Sequence, residues 1–168
     1  MILFNRKLKS HRQVDGHQLF TYEYSKRGEA TLLLHGGLSS TESWDWSVLP
    51  ALKNRHVFAY DRSAHGRTGS RDGYYHFEFQ TKEAISFIET VIKEPVHLLG
   101  WSDGGIISLM VALKRPDLVR SIVSIGTNFH WDVGLPFEAE PVIELTEEER
   151  ARFAERSPDP AQIGRAHV

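Results

Sequence analysis

The chain has 168 residues and no cysteine. That removes disulfides, thiolate metal sites and a cysteine nucleophile together. Long apolar runs are missing too. The opening MILF is cut short by Asn5, Arg6 and Lys7, which leaves it shorter than the core of a signal peptide. No later stretch approaches the length of a bilayer span. Nor is there an excess of one charge. Twenty Lys and Arg against 22 Asp and Glu leave a formal net charge of −2, which argues against a surface for nucleic acid or anionic membrane. The expectation is a soluble, cytoplasmic protein. What is present in quantity is apolar residue, 40% of the chain, enough for one packed domain and too little for two comfortable ones.

The pattern along the chain alternates. Residues 7–14 and 18–25 are expected to pair as a hairpin around Asp15-Gly16, a strong tight-turn pair. Residues 30–35 and 56–61 are short, continuously apolar runs, suited to strands buried on both faces. Residues 96–100 and 119–126 read as two further strands. Helices are expected over 42–53, interrupted or ended around Pro50, and over 79–93. In the second, Ala84, Ile85, Ile88, Val91 and Ile92 share a stripe and Pro95 is the stop. A third helix over 103–115 is apolar almost all round (Ile106, Ile107, Leu109, Met110, Val111, Leu113) and is expected to be deeply buried, with Pro116 ending it. A polar helix should open at Thr146 and run to about Arg156, since Thr146 and Glu149 have capping-box spacing. Strands followed by repeated strand–helix units predict an α/β fold with a mostly parallel sheet flanked by helices.

One stretch carries chemistry. Gly100-Trp101-Ser102-Asp103-Gly104 matches G-x-S-x-G, a string that arises by chance in roughly one sequence in twelve of this composition. Its context is more specific than the string, because a strand is predicted before it and a helix after it. Side chains at the two glycines would collide with neighbouring backbone in so sharp a turn. Ser102 is thereby pushed out at a helix N-terminus, where backbone N–H groups face a developing anion.

Taken with two other motifs, this stretch resembles the α/β-hydrolase fold family. His35-Gly36-Gly37 looks like that family's oxyanion loop, and Gly100–Gly105 (GWSDGG) like its nucleophile elbow, close to that of the valacyclovir-hydrolase-like or biphenyl-hydrolase-like branch. Asp61-Arg62-Ser63-Ala64-His65-Gly66-Arg67-Thr68 looks like the family's Asp-x-Arg-Gly-x-Gly-x-Ser loop, departing from it at Ser63 and Ala64. The resemblance runs from about residue 14 to about residue 130. It implies a serine hydrolase acting on carboxylic ester or related acyl bonds. Ser102 would be the nucleophile, and the backbone N–H groups of Gly37 and Asp103 would form the oxyanion hole. It implies no metal or organic cofactor. Dehalogenase chemistry is disfavoured, since such relatives place Asp at the nucleophile position. Aminopeptidase or perhydrolase activity, and a non-catalytic small-molecule receptor on the same fold, remain open beside it.

The other residues at the site carry two readings each. His35 is expected to brace the oxyanion turn rather than move protons. Asp61 and Arg62 are expected to tie their loop by hydrogen bonds. Asp103 is either a helix-start carboxylate or a contact for a cationic amine on the substrate. Trp101 and Phe129 either line a pocket or belong to the core. His130 and Asp132 follow the last strand near the site edge, and Asp132 is a possible triad acid.

The family's triad runs Ser, acid, His along the chain, yet no convincing acid–His pair lies between 127 and 168. His167 is the one late histidine, and no strand precedes it. Ile163-Gly164-Arg165-Ala166-His167-Val168 is the translation of ATCGGAAGAGCACACGTC, a common sequencing adapter. Residues 1–130 are therefore expected to be the N-terminal portion of the hydrolase core and 131–161 the start of a cap. Residues 162–168 are expected to be a non-native tail, the triad acid and His being lost by truncation. Such a chain is expected to expose an unpaired sheet edge, fold poorly and turn over little substrate.

Overall fold

A computed structural model describes residues 8–44, 48–128 and 145–162. Six strands form one sheet: β1 (Leu8–Val14), β2 (His17–Tyr24), β3 (Ala30–Leu34), β4 (His56–Tyr60), β5 (Val96–Trp101) and β6 (Val119–Ile125), in the order β1-β2-β4-β3-β5-β6. β1 and β2 make the expected hairpin. Val14 faces His17 across a turn in which Asp15 and Gly16 both have positive φ, 47° and 75°, the backbone twist that suits a two-residue hairpin loop. β2 runs antiparallel to β4, whereas β4, β3, β5 and β6 are mutually parallel.

The apolar runs end up where a sheet covered on both faces needs them. All five residues of β3 are buried. Leu32 and Leu34 join Phe58, Leu98, Phe87, Ile107 and Val111 on one side of the sheet. Leu33, pointing the other way, joins Tyr22, Val57, Ala59 and Leu99, with Trp44 covering them. The first of these layers is closed by helices α1 (Phe77–Phe87) and α2 (Asp103–Lys114). α1 opens on His76, whose Nδ1 accepts the Phe79 N–H. It continues as a π-helical turn over Ile88–Ile92 and stops at Lys93, which takes φ 65°, two residues before Pro95. α3 (Glu147–Arg156) carries the full capping box: Thr146 accepts from Glu149 N–H, and the Glu149 carboxylate accepts from Thr146 N–H.

Two expectations are corrected. The helix expected over 42–53 is replaced by two short 3-10 turns, Thr41–Trp44 and Leu49–Leu52, with residues 45–47 outside the described set. Asp61, from the end of β4, takes the Thr41 N–H at the first turn, and Pro50 opens the second. α2 is not buried all round. Its inward face (Gly104, Gly105, Ile107, Ser108, Val111) is covered, but Leu113 is 83% exposed. A helix lying on one side of a sheet needs only one apolar stripe, and nothing among the described residues covers the other. Among the described residues β6 pairs only with β5, and Val123 and Ile125 on it face solvent. No helix among the described residues is long and apolar enough to cross a membrane.

Candidate active site

Because β4, β3, β5 and β6 are parallel, their carboxyl ends share one edge of the sheet, where open α/β sheets place their sites. His35-Gly36-Gly37, Asp61-Arg62, Ser102 and Gly126-Thr127 all leave strands there. Ser102 stands between β5 and α2 with φ 52° and ψ −117°, a region a residue with a side chain occupies only under constraint. The constraints are visible. Its N–H donates to Ile125 O at 2.9 Å, and its carbonyl accepts Gly105 N–H and Ile106 N–H at 2.9 and 3.2 Å, so the turn becomes the first turn of α2. A Cβ at Gly100 would lie 2.3 Å from Gly104 O, and one at Gly104 would lie 1.9 Å from Leu34 O. Only glycine lets β5, α2 and β3 approach this closely.

The loop after β3 runs against the elbow. A Cβ on Gly36 would sit 3.3 Å from Ser102 Cβ and 3.0 Å from Trp101 Cε3. His35, fully buried, braces this loop. Its Nε2 accepts the Arg62 N–H at 3.1 Å, so that nitrogen carries no proton; Nδ1 therefore bears the hydrogen and donates it to Gly36 O at 2.8 Å. Behind the loop lies the Arg62 guanidinium, also fully buried. Nη2 donates to Gly36 O at 2.8 Å and lies 3.6 Å from Asp103 Oδ2, while Nη1 donates to Gln80 Oε1. Burial pulls the Arg62 pKa down and the Asp103 charge opposes that; an arginine still stays cationic at any working pH.

Asp61 does tie its loop. Its carboxylate accepts Thr41 N–H at 2.8 Å and Arg67 N–H at 2.9 Å, and its carbonyl accepts the Thr68 hydroxyl at 2.6 Å. Burial pushes its carboxyl pKa up against the pull of those two N–H groups. Ser63 donates its hydroxyl to Glu83, whose other oxygen accepts Ser63 N–H at 3.2 Å; burial pushes the Glu83 pKa up as well. Sequence reasoning missed Gln80 and Glu83. The available signal was two polar side chains on the face of α1 that also carries Ala84 and Phe87, all of them buried. It also missed that Arg62 sits beside Asp103. Trp101, 40% exposed between Gly36 and Gly126, belongs to the surface of the site and not to the core. A cleft of about 410 Å³ opens next to the loop that follows β3, between Leu38, Ser40, Glu42 and Gly66 on one side and Arg152 and Phe153 of α3 on the other. Arg156 on Glu42 (3.1 Å) and Asp159 on Ser70 (2.7 and 2.8 Å) fasten that segment. Phe129, His130, Asp132 and His167 lie outside the described residues.

Comparison with known proteins decides the family. The alpha/beta hydrolase fold family matches residues 30–159. The chain belongs to the alpha/beta hydrolase fold family. Among curated relatives of this chain, human serine hydrolase BPHL is 35% identical over 123 residues, covering 68% of this chain and 41% of the human protein. (E)-2-((N-methylformamido)methylene)succinate hydrolase of Acinetobacter baylyi is 30% identical over 114 residues, covering 68% of this chain and 43% of that one. The chain thus spans about two fifths of the length of the curated relatives it matches. Among solved structures, a CIB-like hydrolase from Thermoplasma acidophilum superposes with a TM-score of 0.67 at 20% identity, over 73% of this chain and 63% of that one. A haloalkane dehalogenase variant, DbeA-M1, from Bradyrhizobium elkanii superposes at 0.66 and 25% identity, over 71% and 40%.

Proposed function

We propose that the whole protein is a serine hydrolase of carboxylic esters or related acyl compounds, with Ser102 as its nucleophile. One observation carries this reading: Ser102 is held in a strained conformation at the start of α2, with the Gly36 backbone packed against it. In the reaction, Ser102 Oγ bonds to the acyl carbon and the carbonyl π electrons move onto oxygen. That oxyanion is received by the N–H groups of Gly37 and Asp103. Collapse expels the alcohol, which takes up the serine's proton by way of a base, and water then releases the acid by the same route reversed. Among the described residues, the histidines near Ser102 are committed elsewhere, His35 to Arg62 N–H and Gly36 O, and His65 to Ser63 O. The base and its acid partner therefore belong, in this reading, to the part of the fold that the match to the longer relatives does not span. Trp101, Phe129 and His130 are proposed substrate neighbours. Asp103 is a weaker one, because its carboxylate already has Arg62 beside it.

The test is a fluorophosphonate applied to the whole protein. Covalent labelling at Ser102, lost in Ser102→Ala together with ester turnover, supports the reading. Small-molecule binding with neither labelling nor turnover shows a receptor on the same fold instead. Amide or peracid substrates in the same assay separate aminopeptidase and perhydrolase activity from esterase.

A further inference from the structure

We propose that Arg62 is the positioning residue of the oxyanion hole, joining its two donors through one buried guanidinium. This rests on the assignment of Ser102, Gly37 N–H and Asp103 N–H given above. The first donor is governed through its peptide. Gly36 C=O and Gly37 N–H are opposite ends of one planar unit, so whatever fixes the oxygen also fixes the direction of the N–H. Two glycines in succession would otherwise leave that peptide free to turn. Arg62 Nη2 and His35 Nδ1 both donate to Gly36 O, each at 2.8 Å. The guanidinium is the charged member of the pair. A charge-assisted bond is stronger than a neutral one, and it polarises the peptide so that the far N–H becomes a better donor.

The second donor is governed through its charge. Asp103 supplies a backbone N–H but also carries a carboxylate, which would set a full negative charge near the growing oxyanion. Arg62 Nη2, 3.6 Å from Asp103 Oδ2, offsets it. One cation thus orients one amide and neutralises the side chain attached to the other. The guanidinium is itself held from α1: Gln80 Oε1 accepts from Nη1, and Gln80 Nε2 donates to Tyr75 O at 2.6 Å.

Packing alone does not explain an arginine here. Its side chain is fully buried and its Nε has no hydrogen-bond partner among the described residues. Removing a guanidinium from water is costly, and an apolar side chain of similar volume is often the more stable occupant of such a position.

The test reads the Gly37 amide in ¹⁵N-labelled protein, with phenylboronic acid as a probe that forms a tetrahedral adduct on a serine. In Arg62→Met the Gly37 amide proton is expected to move upfield and exchange with solvent about tenfold faster, while the amides of the β1–β2 hairpin hold their shifts. Gln80→Leu, which leaves the arginine but removes its anchor, is expected to move Gly37 in the same direction by less, and serves if Arg62→Met does not fold. Boronate affinity should fall about tenfold in Arg62→Met and recover in part in Arg62→Met/Asp103→Asn, because the charge needing neutralisation is then gone. A merely structural arginine would give no such rescue. A Gly37 amide unchanged in both single variants, or a double variant no better than Arg62→Met, overturns the proposal. If Ser102→Ala binds the boronate as well as wild type, the nucleophile assignment fails instead, and the Gly37 amide still decides the role of Arg62.

Discussion

Two carboxyl groups lie buried behind the loop that follows β3, and they differ in what holds them. Asp61 accepts two backbone N–H groups from segments on either side of it. Asp61→Ala would orphan both donors in the interior and is expected to cost about 2–4 kcal/mol of stability, measured as the shift in a urea midpoint at unchanged slope. Glu83 accepts the N–H and the hydroxyl of Ser63, and its pKa is raised by burial. Between its unfolded and its raised folded value, the folded chain keeps a proton that the unfolded chain has released. Stability is therefore fullest below the unfolded value and falls as pH rises through the window. Glu83→Gln should flatten that decline, as read from urea midpoints at a series of pH values from 4 upward. Ser102 and its flanking glycines were legible in the sequence because an elbow needs those residues at adjacent positions. The Arg62–Asp103 pair was not, since it joins loops after different strands and leaves no local spacing to read.

The elements tell the same story one level up. β3, β4 and β5 were legible as apolar runs because a strand covered on both faces has no polar side to show. The segment over 42–53 was not, because its short turns are set by Asp61, reached from the neighbouring strand, and by Pro50. α2 showed the limit of composition: apolar residues all round the helix did not place a second layer over Leu113. The close approach of β3, β5 and α2 gives a contrast between two glycines. Gly104→Ala would drive a Cβ to 1.9 Å from the Leu34 carbonyl, where backbone must move. It is expected to cost about 3 kcal/mol or more. Gly16→Ala meets nothing within 4 Å and strains only its positive φ, for about 1 kcal/mol. Thermal unfolding of the two variants side by side checks the difference.

Across the whole molecule, the parallel strands bring three separated motifs to one sheet edge, and that convergence was readable from their order alone. The side of the sheet beyond β6 was not. Val123 and Ile125 on this edge strand are 53% and 44% exposed, and unpaired apolar edges invite pairing with another chain. The chain is expected to self-associate as concentration rises, and Val123→Lys to suppress it, both by light scattering. Residues 162–168 stand apart from this, proposed as a non-native tail of translated adapter; coding sequence running on unbroken through them in the source genome would remove that proposal.

The most direct measurement is peptide mapping by mass spectrometry after fluorophosphonate treatment of the whole protein. The adduct is expected on the peptide containing Ser102, absent from Ser102→Ala, with ester turnover lost in parallel. Turnover that survives Ser102→Ala, or an adduct carried by a different residue, would contradict the assignment of Ser102 as the nucleophile.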